Sequence, residues 1–291
     1  MVSIRIITTT LLAAISLAAP AVHAPGDAPD VQAIVRRSVE QDWANLSKAR
    51  DYTFVRREET HRLDRAGGVK QSESKTFDVV IISERPYEKL IEEDDRPLEG
   101  RKARKAQEEF DKAVRKSQDL SESERHKQAE KRRKEEEEAR RFVREIPEAF
   151  TFELVRNDQI DALPVWVIRA TPRAGFKPKE KRAAILSKFQ GVLWIDQKDY
   201  QWVRIEAEVI DTVSFGWVLA RLGKGTTLTF QQTRVNDELW LPSKATTRIN
   251  AKLALLKSIR AEVNVQWREY RKFRTESRIV PPESQAQGTP R

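Results

Sequence analysis

The sequence predicts an α+β protein that is mainly β: a curved antiparallel sheet, an incomplete barrel, covered by an N-terminal helix and carrying an inserted long charged helix or helical hairpin. Three observations support this fold class. Many segments alternate apolar and polar residues with a period of two. One early segment repeats its apolar residues at helical spacing. One internal stretch, 99–146, contains hardly any large apolar side chain.

Residues 1–24 have the pattern of a cleavable secretory signal peptide. Arg5 precedes an uncharged stretch, 6–22, which ends in Val22-His23-Ala24. The stretch is diluted by threonines and a serine, whereas a membrane anchor needs about twenty strongly apolar residues. We therefore expect cleavage near Ala24 and a soluble exported protein, periplasmic or secreted. An uncleaved N-terminal anchor is the alternative.

The mature chain is expected to begin with an amphipathic helix that lies across the sheet. Asp30 is a plausible N-cap, and one apolar stripe follows it at spacings of mostly three and four: Val31, Ile34, Val35, Val39, Trp43 and Leu46. From Tyr52 the pattern changes to two long strands joined at Ala66-Gly67-Gly68.

The segment 99–146 is predicted to form one long solvated helix, or a helical hairpin or coiled coil, that projects from the body. Lysine, arginine and glutamate fill most positions, and Ser121 with Glu124 makes a possible capping box. Pairs four residues apart, Glu130 with Lys134 and Glu137 with Arg141, support it in water. The alternative is an arm that docks an envelope protein or an anionic membrane surface.

After Pro147 short strands resume, so that about nine to eleven strands form one antiparallel meander. The clearest is in the hairpin 189–211, where Val203, Ile205, Ala207 and Val209 share one predicted face. The predicted organisation is a signal peptide (1–24), a sheet domain (25–98 and 147–275), the charged insertion (99–146) and a loose tail (276–291).

Composition narrows the function classes. The chain has no cysteine, which excludes disulfides, thiolate metal sites and a cysteine nucleophile. Its three histidines cannot be placed at metal-ligand or triad spacing. We therefore expect no catalytic residues, metal or cofactor. The net charge of +9 would suggest nucleic acid in a cytosolic protein, but export argues against that partner class, and no nucleic acid is predicted.

Two motifs resemble a known family. "GVLWID" contains Gly191, Trp194, Ile195 and Asp196, and "VNDELWLPSK" contains Trp240, Leu241 and Pro242. With the amphipathic first helix and the strand-rich body, they resemble the periplasmic lipoprotein-carrier superfamily of LolA, LolB and related lipid-binding proteins. The resemblance spans 30–95 and 148–273. It implies an incomplete barrel that cradles acyl chains beneath covering helices, and 99–146 has no counterpart in the simple carriers.

The predicted function is binding of a lipid, a lipoprotein or another hydrophobic ligand on the concave face, for carriage or sensing. Burying each methylene there contributes about 0.8 kcal/mol. The candidate cleft residues are Val79, Ile81, Phe152, Leu154, Val203, Ile205, Phe230, Val263 and Val265, with Trp217 and Leu222 in a covering helix or flap. For each, the alternative is ordinary core beneath the first helix. The competing function is a non-catalytic interaction protein with a packed core and a docking arm.

Overall fold

The computed structural model describes residues 29–215, 220–253 and 257–272. Helix α1 spans Val31–Ala49 and leads into β1, Tyr52–Leu63. The other elements of the first half are β2 (Val69–Ile82), β3 (Arg85–Glu93), β4 (Arg96–Pro97), α2 (Gly100–Gln118), α3 (Glu122–Arg144) and α4 (Ile146–Ala149). Those of the second half are β5 (Phe150–Ile160), β6 (Leu163–Pro172), a 3-10 helix (Lys181–Lys188), β7 (Phe189–Asp196), β8 (Trp202–Val209), β9 (Val213–Phe215), β10 (Ala220–Leu222), β11 (Thr227–Val235), β12 (Leu239–Leu253) and β13 (Lys257–Lys272).

The strands form one antiparallel sheet in the order β4-β3-β2-β1-β13-β12-β11-β8-β7-β6-β5, and β9 and β10 pair off this path. The predicted fold class is confirmed, but the path is not a simple meander. Strand β1 pairs with the last strand, β13, and β8 pairs with β11 because β9 and β10 form an additional short hairpin. Strands β4 and β5 are the two edges, and the sheet is open between them.

Helix α1 buries its apolar side chains against one face of the sheet. We call this face of the sheet the inner face. Ile34 and Val35 pack with Ile168 of β6 and with Leu193 and Ile195 of β7. Val35, Ile168 and Ile195 are fully buried. Partly buried side chains complete this cluster around α1: Val31, Phe152, Leu154, Trp166, Tyr200, Trp202 and Ile205. The predicted covering helix is thus confirmed, and its N-terminal half fills the inner face over β5 to β8.

The C-terminal half of α1 is attached by polar contacts as well as by packing. Asn45 bonds both backbone groups of Trp240, accepting from its N–H at 2.8 Å and donating to its carbonyl oxygen. Beyond it, Ala49 packs on a cluster of Tyr52, Leu239 and Leu241. These contacts fix α1 over one end of β12, so the helix crosses the sheet diagonally.

The charged insertion is a helical hairpin that links one edge strand of the sheet, β4, to the other, β5. The predicted capping box of Ser121 and Glu124 begins α3. Phe110 of α2 packs on Tyr87 of β3 with ring centroids 5.7 Å apart, and Glu136 of α3 pairs with Arg50 at 2.8 Å. The expectation of a projecting arm is therefore wrong: α2 lies on the sheet, and α3 returns alongside α1.

The two predicted ion pairs within α3 have different outcomes. Glu130 and Lys134 pair at 3.0 Å, as expected. Arg141 does not pair with Glu137, because its Nε lies 2.7 Å from Glu180 beside the 3-10 helix. Across the ranges that the structure describes, no helix is both long enough and apolar enough to cross a bilayer.

Candidate functional site

An apolar part of the inner face that α1 leaves open lies on β11, β12 and β13. The strand register aligns Phe230 with Ala245 and Ala245 with Val265, and the next row aligns Leu228 with Thr247 and Thr247 with Val263. Both rows continue on β8, at Ile205 and Ala207, which connects them to the face that α1 covers. Since side chains alternate across a strand, all these residues lie on the inner face.

Five residues of this region form what we call the apolar stripe: Leu228, Phe230, Val263, Val265 and Trp267. Leu228 is 37% exposed, and the others are partly exposed. Within the described residues, none of the five belongs to a buried core cluster. The stripe is thus apolar surface that the helices leave partly accessible to water.

The shape of the stripe depends on one small residue. Phe230 and Trp267 lie on strands separated by β12, and their ring centroids are 6.5 Å apart at an interplanar angle of 79°. Ala245 occupies the intervening strand between Phe230 and Val265. Because its side chain is a single methyl group, the two aromatic rings can approach each other across β12.

Seven of the eleven predicted cleft residues fall into three groups. Phe230, Val263 and Val265 lie together in the apolar stripe. Phe152, Leu154 and Ile205 pack around α1, where the helix already occupies the face. Val79 is 1% exposed, so no ligand could touch it without movement. Three of the predicted residues are therefore brought together, and four are used by the core.

Val203 lies on the opposite face, and its prediction is corrected. Trp194 pairs with Arg204, but the next residue, Ile195, pairs with Trp202 and skips Val203. This register shift is a β-bulge, which reverses the alternation at one position. Val203 packs instead with Val165 and Trp240.

The remaining predicted residues lie elsewhere. Ile81 lines a cavity of about 930 Å³ between α3, the β2–β3 turn and the end of α1, whose other lining residues are mostly arginines and carboxylates. Leu222 is in strand β10, where it pairs with Ala251, so the expected covering helix is not present at that residue. Trp217 lies outside the described residues.

A charged cluster missed by the sequence analysis lies beside the apolar stripe. Arg56 of β1 is the neighbour of Trp267 across the β1–β13 pair, and Glu58 is the neighbour of Val265. Arg56 pairs with Glu58 at 3.1 Å and with Glu88 of β3 at 2.9 Å. Its guanidinium lies over the ring of Phe77, 4.9 Å from the centroid. Because side chains alternate along a strand, the sequence alone places Arg56 and Glu58 on the same face of β1. The pairing of β1 with β13 shows that this is the inner face.

Other acidic groups have structural explanations. In the acidic run 92–95, Asp94 and Asp95 adopt positive φ values of 49° and 57° in a turn between β3 and β4, and Asp95 accepts a hydrogen bond from Arg57 at 2.7 Å. Asp42 of α1 is buried and accepts a hydrogen bond from Gln201 at 2.9 Å. Burial raises the pKa of Asp42, although hydrogen bonds from Gln232 and Gln201 act in the other direction. Among the described residues, no group of three or more His, Asp or Glu side chains is placed to hold a metal ion.

No protein-family model and no curated protein sequence matches the chain. Solved structures do resemble it. An outer-membrane lipoprotein-sorting protein domain from Vibrio parahaemolyticus is 12% identical, with a TM-score of 0.30, over 84% of this chain and 95% of that one. A LolA-superfamily protein from Nitrosomonas europaea is 12% identical, with a TM-score of 0.30, over 84% and 93%.

A DUF1329-family protein from Desulfovibrio piger is 10% identical, with a TM-score of 0.29, over 83% of this chain and 92% of that one. At TM-scores of 0.30 or less, the likenesses bear on no ligand or partner of this chain.

Proposed function

We propose that this chain is an exported, soluble, non-catalytic binding protein that holds the hydrocarbon chain of a lipid, a lipoprotein or another hydrophobic ligand against the apolar stripe. The observation that carries the proposal is the position of Phe230, Val263 and Val265. They share one face, with Phe230 and Val265 in one cross-strand row on either side of Ala245, and they remain partly exposed although α1 covers the neighbouring strands. The pattern of residues 1–24 supports export.

The energetics favour an apolar ligand on this surface. A hydrocarbon chain needs contiguous apolar contact and no catalytic group, and each methylene that it buries contributes about 0.8 kcal/mol. Eight buried methylenes would then contribute about 6 kcal/mol before the cost of ordering the chain is subtracted. An exposed apolar surface of this kind in a soluble protein typically marks an interaction site.

The competing function, an interaction protein with a packed core, has weaker support. Helix α1 does fill one half of the inner face, but the apolar stripe lies outside the buried clusters of the described chain. The helical hairpin, the expected docking arm, directs Glu136, Arg141 and Glu138 to partners on the body of the protein. These charges are therefore already engaged within the chain.

Ligand binding can be tested with a matched pair of variants. The mature protein, freed of lipid with organic solvent, is titrated with an environment-sensitive fluorescent fatty acid. Val263→Glu places a charge in the apolar stripe, and Val192→Glu places the same charge on the outer face of β7. Both positions are partly exposed. We expect saturable binding by the unmodified chain and by Val192→Glu, and at least tenfold weaker binding by Val263→Glu.

Thermal unfolding of both variants provides the control for folding. If the unmodified chain binds no hydrocarbon probe, and no lipid is found in its solvent extract, the proposed function is wrong. If Val263→Glu and Val192→Glu weaken binding equally while both stay folded, the ligand lies elsewhere on the protein.

A further inference from the structure

We infer that one end of the sheet is a docking surface for an anionic lipid bilayer. This surface consists of the end of the β1–β2 hairpin, the end of the β12–β13 hairpin and the neighbouring strand β10. We call it the basic end, and it comprises residues 62–70, 220–224, 250–253 and 258–260. The inference goes beyond the proposed function and does not depend on it, since docking requires no ligand on the apolar stripe.

The parts of the basic end lie together. Ala220, the first residue of β10, pairs with Leu253, the last residue of β12. Arg260 of β13 donates a hydrogen bond to the carbonyl oxygen of Arg65 in the β1–β2 turn. Strand β12 continues five residues beyond Arg248, the partner of the first residue of β11. At about 3.4 Å per residue, the end of the β12–β13 hairpin therefore projects about 17 Å past β11.

Most of the net charge of the protein is concentrated there. The basic end contains seven lysines and arginines and a single carboxylate, Asp64, which gives a formal charge of +6. The whole chain carries +9. Oδ1 of Asp64 accepts hydrogen bonds from backbone N–H groups of its own turn. A surface with so strong an excess of positive charge attracts an anionic partner.

The basic side chains have no internal counter-charge. Within the described chain, none of the seven forms an ion pair. Asp211 and Glu262, two carboxylates beside the basic end, pair with basic residues outside it. Glu73, three residues beyond Lys70 on β2, offsets a single charge. The excess of positive charge is therefore not neutralised by the surrounding protein.

Two of the basic residues face each other. Arg221 of β10 is the register neighbour of Lys252 of β12. The next residues in this row are Ser214 on β9 and Ser258 on β13, so no carboxylate adjoins the two cations across the strands. Like charges directly opposite each other destabilise a sheet. An anion from outside the protein would relieve this repulsion, which is the second observation that points to an anionic partner.

Apolar side chains at the same end favour a bilayer over other polyanions. Val69, at the start of β2, is 60% exposed and is the most exposed large apolar side chain of the described residues. On the inner face, Leu222, Ala251 and Ile259 form one row across β10, β12 and β13 and are partly exposed. A bilayer offers anionic headgroups together with hydrocarbon beneath them, whereas a nucleic acid or an acidic peptide offers the charge alone.

Cosedimentation with vesicles tests the inference on the full mature chain. The vesicles contain either phosphatidylcholine alone or phosphatidylcholine and phosphatidylglycerol in a ratio of about two to one. We expect at least about tenfold tighter binding to the anionic vesicles, and we expect added salt to weaken it because the charges are exposed.

Two pairs of exposed lysines provide a matched comparison. Lys70→Glu/Lys252→Glu changes the basic end, and Lys112→Glu/Lys127→Glu makes the same change of charge on α2 and α3. Each basic residue near an anionic surface strengthens binding by about fivefold. The first variant should therefore bind anionic vesicles at least about 25-fold more weakly than the unmodified chain, and the second should bind within about threefold of it. If thermal unfolding shows that the first variant is destabilised, Lys70→Gln/Lys252→Gln serves and should bind about tenfold more weakly.

The apolar contribution is tested separately. Val69→Ser should weaken binding to anionic vesicles by about threefold, because less apolar surface is buried in the bilayer. Val155→Ser, at an exposed position on the edge strand β5, is the control and should bind normally. Equal binding by these two variants would show that the basic end takes any polyanion, and it would overturn the assignment of a bilayer.

The remaining outcomes distinguish this inference from the proposed function. Equal affinity for the two kinds of vesicle, or equal losses in the two lysine variants, would overturn the docking surface. Binding of the fluorescent fatty acid in solution should be unchanged in Lys70→Glu/Lys252→Glu, because both lysines lie outside the apolar stripe. Absence of fatty-acid binding by the unmodified chain would count against the proposed function alone, and absence of vesicle binding would count against docking alone.

Discussion

Phe230 and Trp267 meet edge to face across an intervening strand, with ring centroids 6.5 Å apart. Aromatic residues on strands β11 and β13 can touch in this way because Ala245, on β12 between Phe230 and Val265, is too small to separate them. The two rings and the adjacent valines form an apolar part of the inner face that α1 does not cover.

Enlarging Ala245 should block the ligand site without unfolding the protein. Ala245→Leu places a bulky side chain on the apolar stripe between Phe230 and Val265, so we expect at least tenfold weaker binding of the fluorescent fatty acid. Because the position is partly exposed, the free energy of unfolding should change by less than about 1 kcal/mol. Thr229→Leu, on the outer face of β11, is the control and should bind normally. Normal binding by Ala245→Leu would contradict the assigned site.

Neutralising Asp42 should stabilise the protein at neutral pH. The native pKa of Asp42 lies above its usual value of 3.8 because of burial. The native state therefore keeps this proton to higher pH than the unfolded chain does. The stability contributed by the protonated form is complete below about pH 3.8 and is lost as the pH rises through the native pKa.

The substitution Asp42→Asn removes the ionisable group but keeps a side-chain oxygen that can accept the hydrogen bonds from Gln201 and Gln232. We expect urea unfolding to show a more stable variant at pH 7 and equal stabilities near pH 3. A variant that is less stable than the unmodified chain at pH 7 would show that the charged carboxylate has an additional favourable partner.

Gly191 should be intolerant of any side chain, even a methyl group. A Cβ at this position would overlap the carbonyl oxygen of Glu206 and lie 3.2 Å from the Cα of Ala207 on the paired strand β8. We expect Gly191→Ala to lower the free energy of unfolding by about 1–3 kcal/mol in chemical denaturation, through strand displacement. A loss below about 0.5 kcal/mol would mean that β7 and β8 can separate at little cost.

Helix α3 should depend on its apolar C-terminal end more than on its ion pairs. Phe142 packs against the buried cluster of Ala149, Phe150 and their neighbours, whereas Arg50 and Glu136 are 56% and 36% exposed. We expect Phe142→Ala to destabilise the protein by about 2 kcal/mol and Glu136→Ala by less than about 1 kcal/mol. Thermal unfolding measures both. Equal effects would show that the ion pairs contribute more than exposed pairs usually do.

Local patterns predicted much of this architecture. The spacing of Ile34, Val35 and Val39 predicted a helix with one buried stripe, and alternation in β13 placed Val263 and Val265 on one face. Ser121 and Glu124 predicted where α3 begins. These features depend on interactions between residues close in sequence, which the sequence displays directly.

Features that depend on long-range pairing were not predictable in the same way. The bulge that moves Val203 to the other face results from a register shift between β7 and β8, which alternation within one strand cannot reveal. The position of α3 depends on distant partners such as Arg50 and Glu180. The pairing of Arg56 with Glu88 beside Trp267 likewise depends on the register of β1, β2 and β3, which the sequence does not display.

The central claim, that the apolar stripe holds a hydrocarbon chain, is tested most directly by photocrosslinking. Dodecylamine with a diazirine in its chain is bound to the full mature protein, irradiated, and mapped by mass spectrometry of peptides. We expect labels on β11 and β13, at Leu228, Phe230, Val263, Val265 or Trp267, and competition by unlabelled dodecylamine. Labels confined to other strands, or scattered labels that no competitor reduces, would contradict it.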